Sequence, residues 1–240
     1  MRLLRSNFLV CLGEVERPSV VITSALAGEG KTATCGQLAW SLAYAGKRVI
    51  VLDLDLRHPT VYRALGGHND FGVTDVILER RSLTESMQYL EVARTGGRGL
   101  YLLGTGPSVS NPTELLGSRR TGALIEALRE EADIVLIDSA PVLPVADTLV
   151  IGPAVSGAVL VVEAHRTPTD TAQQAKNALI RNQTRLFGIV LNKVQANKGG
   201  QGYGYGYGYG EDTSADDAEL EATVQAVAEP DDSTPVSSTS

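Results

Sequence analysis

The run Ser24-Ala25-Leu26-Ala27-Gly28-Glu29-Gly30-Lys31-Thr32 has the residue types of a phosphate-binding loop. Gly28 and Gly30 allow the backbone to curl so that its N–H groups face a phosphate. Lys31 supplies a mobile point charge for β- and γ-phosphates, and Thr32 supplies a hydroxyl for Mg²⁺. The start of a following helix adds partial positive charge. Ala27, Gly28, Glu29, Gly30, Lys31, Thr32 and Ala33 are therefore the expected nucleotide contacts, with ATP and Mg²⁺ as the expected ligands. Ala25 stands where the pattern usually has its first glycine.

Two further stretches place carboxylates at the ends of apolar runs: Val51-Leu52-Asp53-Leu54-Asp55-Leu56-Arg57 and Val135-Leu136-Ile137-Asp138-Ser139-Ala140-Pro141. In an open parallel sheet, ligands bind beyond the carboxyl ends of the strands. Asp53, Asp55 and Asp138 then share one rim with the phosphate loop. One carboxylate would join the metal shell and another would take a proton from an attacking hydroxyl. The plainer alternative makes them caps of following helices. Arg57 has two readings as well, a phosphate contact or an ion-pair partner of Asp53 or Asp55. His58, His68 and His165 show no ligand spacing. Cys11 and Cys35, the two cysteines, form neither a metal motif nor a disulfide framework.

Near the other end lies Gly202-Tyr203-Gly204-Tyr205-Gly206-Tyr207-Gly208-Tyr209-Gly210. Each ring is isolated between glycines, an arrangement ill suited to a packed core and well suited to presenting phenols. Taken alone, the run reads as a low-complexity linker. Behind a phosphate loop it reads as a phosphoryl acceptor.

The elements that must position these groups alternate. Strands are expected at 19–23, 48–54, 99–103, 134–137, 158–162 and 188–191. Helices are expected at 32–45, 121–131 and 170–180, with short helical pieces at 59–65, 73–80 and 83–89. Near-continuous apolar strands separated by helices imply an α/β fold with a mostly parallel central sheet covered on both faces. The expected division is an N-terminal segment 1–18, a phosphate-loop domain 19–194, a flexible tyrosine-rich tail 195–210 and a disordered acidic tail 211–240. The net charge is −7, but residues 211–240 carry nine acidic residues and no Lys or Arg, so the remainder is near +2. No basic face for nucleic acid is evident. No uncharged run exceeds 15 residues, the length of Thr148–Val162, short of the roughly 20 needed to span a bilayer.

With these motifs in place, the chain resembles the bacterial tyrosine kinases (BY-kinases) of capsule and exopolysaccharide synthesis, over nearly all of residues 1–210. Gly28–Thr32 is similar to their phosphate loop, Leu52–Arg57 to their Walker A′ motif, and Ile137–Pro144 with Asp147 to their Walker B region. Asn111-Pro112-Thr113-Glu114-Leu115-Leu116 resembles their Asn-Pro-Ser-Glu-Leu-Leu segment, and Gly188–Asn192 their last strand, whose Asn lies near the adenine. Ala27 departs from the usual proline. Arg2 and Arg5 match the family's Glu-x-x-Arg-x-x-Arg oligomer-interface motif, whose Glu would fall ahead of Met1.

The resemblance implies a P-loop NTPase fold of ParA/MinD type and ATP·Mg²⁺-dependent autophosphorylation of Tyr203, Tyr205, Tyr207 and Tyr209. The implied catalytic set is Lys31, Asp53 and Asp55, with Thr32, Asp55 and Asp138 around the metal and Arg57 and Asn192 at the nucleotide. It implies a homo-oligomeric ring in which one tail enters a neighbour's site. It also implies a transmembrane polysaccharide co-polymerase as activator, fused or separate, further protein substrates, and a place at the inner face of the cell membrane. Two rivals stand beside it. One is a ParA/MinD-like ATPase, though Leu26 occupies the position of its signature lysine. The other is an ATP-binding scaffold without kinase activity.

Overall fold

The computed structural model describes residues 1–92 and 99–194. The chain divides into a compact unit, Met1–Gln195, and a second unit, Ala196–Ser240. The second unit, the four Gly-Tyr tyrosines included, lies outside the described residues, as do the expectations for both tails.

Seven strands form one sheet: β1 (Ser19–Ser24), β2 (Val49–Asp53), β3 (Gln88–Leu90), β4 (Leu100–Leu103), β5 (Ile134–Asp138), β6 (Gly157–Glu163) and β7 (Leu186–Asn192). Their order is β3-β4-β2-β5-β1-β6-β7. All pairs are parallel except β3 with β4. The expected parallel α/β architecture is what the chain adopts. One local expectation is corrected. The helix expected over 83–89 ends at Ser86, and Gln88–Leu90 is an antiparallel edge strand. Ser82 and Glu85 form a capping box that starts this helix well. The strand that follows depends on β4, against which Tyr89 stacks on Tyr101.

The central strands are apolar on both faces because both faces are covered. Successive side chains alternate. Val20, Ile22, Val49, Val51, Leu136 and Val161 pack with α1 (Arg2–Leu12), α2 (Lys31–Tyr44) and α3 (Val61–Leu65). Val21, Ile50, Leu52, Val135, Ile137 and Leu160 face the other way. They pack with α4 (Val73–Ile77), α7 (Arg119–Glu131), α8 (Asp147–Ile151) and α9 (Thr169–Arg181). Between them in the chain lie α5 (Leu83–Ser86) and α6 (Pro112–Leu116). Helices α6 and α8 have one turn or little more, too short for a periodicity to reveal. The 1–18 segment contributes α1, which packs on α2 and β7.

Register carries the consequence for function. In the parallel β2–β5 pair, Asp53 stands opposite Asp138. In the β1–β5 pair, Asp138 stands opposite Ile22. The last residues of β2 and β5 therefore flank the point where β1 gives way to the phosphate loop.

Candidate active site

The phosphate loop leaves β1 at Ser24 and enters α2 at Lys31. Gly28 (φ 83°) and Gly30 (φ 92°) are left-handed, the conformation for which glycine is the low-cost residue. A side chain at Gly30 would also collide with the Asn192 amide, 2.1 Å from an added Cβ. Ala25 is fully buried in the core, so the position that usually holds glycine serves here as a packing site.

Lys31 reaches across the loop to the strand ends. Its Nζ lies 2.8 Å from Asp55 Oδ2, 3.2 Å from Thr32 Oγ1 and 3.7 Å from Asp138 Oδ1. Thr32 Oγ1 donates to Asp138 Oδ2 at 2.7 Å. Asp53 Oδ1 accepts the Asp55 N–H at 3.0 Å, and Asp55 Oδ1 accepts the His58 N–H at 3.0 Å. Asp53 and Asp138 are wholly inaccessible, Asp55 is 2% exposed and Lys31 9%. All five sequence-derived core residues of the site, Lys31, Thr32, Asp53, Asp55 and Asp138, thus meet in one buried cluster.

The cluster holds three carboxylates and one ammonium. Burial pushes the Asp138 carboxyl up to about 6, against the opposing pull of Lys31 and Thr32. Burial also drives the Asp53 carboxyl well above its usual range, helped by the nearby Asp138 charge. Burial depresses Lys31, but Asp138 and Asp55 outweigh it, so its amine is held charged. Two buried oxygens, Asp53 Oδ2 and Asp138 Oδ1, have no hydrogen-bond partner. Among the described residues, no group of three His, Cys, Asp or Glu side chains is arranged to hold a metal. A nucleotide-bound Mg²⁺ needs less: one or two carboxylates and a hydroxyl beside the phosphates. The Thr32–Asp138 pair and the orphaned Asp138 oxygen fit that demand.

Arg57 pairs with neither Asp53 nor Asp55. Its Nε lies 2.6 Å and its Nη2 3.0 Å from the two oxygens of buried Asp147, and Nη2 also reaches Thr113 Oγ1 at 3.0 Å. This bidentate contact ties the Walker A′ stretch to α6 and α8. Asn192 lies at the loop, its amide donating to the Glu29 carbonyl at 3.0 Å. Arg5 donates to the Ser41 carbonyl at 2.9 Å, joining α1 to α2 within the chain. Arg2 lies on α1, one turn earlier.

Three residues at the loop had no sequence signal: Glu163, Thr167 and Lys193. Glu29 carries its own turn, accepting the Leu26 N–H at 2.7 Å, and Thr167 Oγ1 donates to its other oxygen. The Thr167–Glu29 contact joins positions 138 residues apart in sequence and the Lys193 Nζ–Gly28 carbonyl contact positions 165 apart, beyond any local pattern.

The profile of the CobQ/CobB/MinD/ParA nucleotide binding domain matches residues 20–203. The chain is 36% identical over 203 residues to tyrosine-protein kinase YwqD of Bacillus subtilis, covering 84% of each chain. It is 30% identical over 200 residues to the putative tyrosine-protein kinase CapB of Staphylococcus aureus, covering 83% of this chain and 86% of that one. The chain belongs to the bacterial tyrosine-kinase branch of this nucleotide-binding family. Among solved structures, the kinase domain of the Escherichia coli tyrosine kinase ETK superposes with a TM-score of 0.76 at 27% identity, over 86% of this chain and 78% of that one. The kinase thus has the expected P-loop fold. Among its described residues no helix is long and apolar enough to cross a membrane.

Proposed function

We propose that this kinase is an ATP·Mg²⁺-dependent tyrosine autokinase that modifies Tyr203, Tyr205, Tyr207 and Tyr209 of a neighbouring subunit and so regulates capsular or exopolysaccharide synthesis and export. The observation that carries the reading is the buried cluster in which one lysine, one threonine and three strand-end carboxylates meet at a phosphate loop. Phosphoryl transfer needs mainly positioning and charge neutralisation, and this set supplies both. When bound, Mg²⁺ would neutralise charge on the phosphate oxygens, held by Thr32, Asp138 and Asp55. Lys31 leaves the carboxylates to meet the β- and γ-phosphates, and Arg57 braces the Walker A′ stretch against Asp147.

The tyrosine oxygen attacks the γ-phosphorus, the bond to the β–γ bridging oxygen breaks, and ADP departs. The phenolic proton passes to Asp53. With Lys31 on the phosphates, Asp55 has one oxygen held by the His58 N–H and the other turned to Mg²⁺, whereas Asp53 Oδ2 is free. That difference favours Asp53 as the base, and its raised pKa makes it a stronger one. Each transferred group adds about −1.5 to −2 charge. A fully modified run beside the acidic 211–240 stretch would be repelled by a site lined with carboxylates, which gives a route from phosphorylation to subunit release. A membrane-embedded co-polymerase is the activator this reading requires, placing the kinase at the inner face of the membrane.

The test is mass spectrometry after incubation with ATP·Mg²⁺ and an activator's cytoplasmic fragment. Phosphate on Tyr203–Tyr209 is expected. ATP turnover with those tyrosines unmodified would instead assign a MinD-like ATPase. Mixing a Lys31→Met chain that keeps its tail with an active chain lacking 195–240 separates transfer between subunits from transfer within one.

A further inference from the structure

The outward side of the phosphate loop is held by residues with no role in the chemistry above. Lys193 Nζ donates to the Gly28 carbonyl at 2.9 Å and lies 3.0 Å from Glu163 Oε2. Its neighbour Asn192 donates to the next carbonyl, that of Glu29. The described peptide bonds are all trans. In a trans peptide, the carbonyl of one residue and the N–H of the next point in opposite directions. Holding the Gly28 and Glu29 carbonyls toward β7 therefore turns the N–H groups of Glu29 and Gly30 away from β7, into the loop that receives phosphate.

Lys193 itself is left-handed, with φ 55°, an uncommon state for a residue with a side chain. That turn, one residue past β7, lets a side chain leaving the sheet reach back over Gly28. Glu163 is anchored in turn: its N–H donates to Thr167 Oγ1 at 3.0 Å, and Thr167 donates to Glu29. The Lys193 hydrogen bond is the chief cause that keeps the Glu163 carboxyl below its usual range. The Lys193 side chain is 47% exposed, and an ion pair so exposed adds little to stability. Its contribution lies in where it holds the loop.

We propose that Lys193 is a positioning residue of the phosphate loop, acting through the Gly28 carbonyl with Glu163 as its anchor, and that it favours nucleotides bearing a β-phosphate. The inference rests on the nucleotide site and not on phosphoryl transfer. The experiment compares the full chain with Lys193→Met, measuring ADP affinity by calorimetry and AMP affinity by displacement of a fluorescent ADP. Lys193→Met should bind ADP about ten-fold more weakly and AMP within about two-fold of the parent. The KM for ATP should rise with kcat little changed. Lys193→Arg should restore most of the ADP affinity, and Glu163→Gln should weaken it less than Lys193→Met does. Melting temperatures should agree within about 2 °C, since the pair is exposed. Unchanged ADP affinity would overturn the proposal. So would an equal loss for ADP and AMP, which would make Lys193 a contact of the nucleoside instead. A parent that binds ADP but forms no phosphotyrosine would strike the kinase reading and leave this comparison intact.

Discussion

The two ends of the sheet treat charge in opposite ways. At the amino ends of the strands, ion pairs sit in water: Arg17 with Glu130, side chains 53% and 66% exposed, and Arg48 with Glu131, 42% and 56% exposed. At the carboxyl ends of the central strands β2 and β5, Asp53, Asp55 and Asp138 crowd around Lys31 with almost no exposure. Exposed pairs cost little and contribute little. Buried charges carry a desolvation cost that the pairing only partly repays, and here carboxylates outnumber the ammonium. A fold selected for stability alone would have no use for that excess. It is the arrangement expected where a bound cation and a proton donor are the missing partners.

The largest break in this asymmetry is Lys31→Met. Removing the positive charge that meets the phosphates should lower phosphotyrosine formation by about 100- to 1,000-fold, the scale of losing one preorganised charge-stabilising group. Initial rates by phosphotyrosine blotting or mass spectrometry check it. Residual activity within ten-fold of the parent would mean that Lys31 belongs to the fold and not to the reaction.

Asp53→Asn should separate stability from activity. The folded-state pKa of Asp53 is raised, so between about pH 4 and that raised value the folded protein holds a proton the unfolded chain has released. Stability from this group is therefore lost as pH rises. Asparagine keeps an oxygen for the Asp55 N–H and carries no charge. At pH 7 the variant should be more stable by roughly 1–3 kcal/mol, with the gain shrinking toward zero near pH 4. Autophosphorylation should fall by about 100-fold or more as the proton acceptor is lost. Denaturant melts at pH 4, 5.5 and 7 read the first effect. A variant less stable than the parent at every pH would show that Asp53 holds the fold through its charge.

Much of this corner is written in local sequence, because each part announces itself by position. An apolar run ending in Asp marks a strand end. Glycines before Lys31-Thr32 mark the loop. Parallel topology then forces the strand ends together, which is why Asp53 and Asp138 were legible though far apart in the chain. What stayed hidden has no local period. The Arg57 partner, Asp147, lies 90 residues away on a helix of five residues. Lys193 reads as one more charged residue after a strand until the turn at its own φ brings it over Gly28. Strand β3 was hidden differently, since Gln88-Tyr89-Leu90 becomes a strand only beside β4, and the capping box just before it argues for helix.

The smallest expected effect lies at the other end of the sheet. Glu131→Gln removes the 3.4 Å pair with Arg48, worth about 0–1 kcal/mol at such exposure. Glu131 is also the last residue of α7, where the helix dipole disfavours a negative charge by about 0.3–1 kcal/mol. The two effects oppose each other and are of similar size. The Arg48 guanidinium also keeps its place over the Tyr101 ring, 5.3 Å from the centroid. The melting temperature should therefore move by no more than about 2 °C, and autophosphorylation should be unchanged. A loss above about 1 kcal/mol would show that charge at the amino ends is coupled into the core as it is at the carboxyl ends, and the contrast between the two would fail.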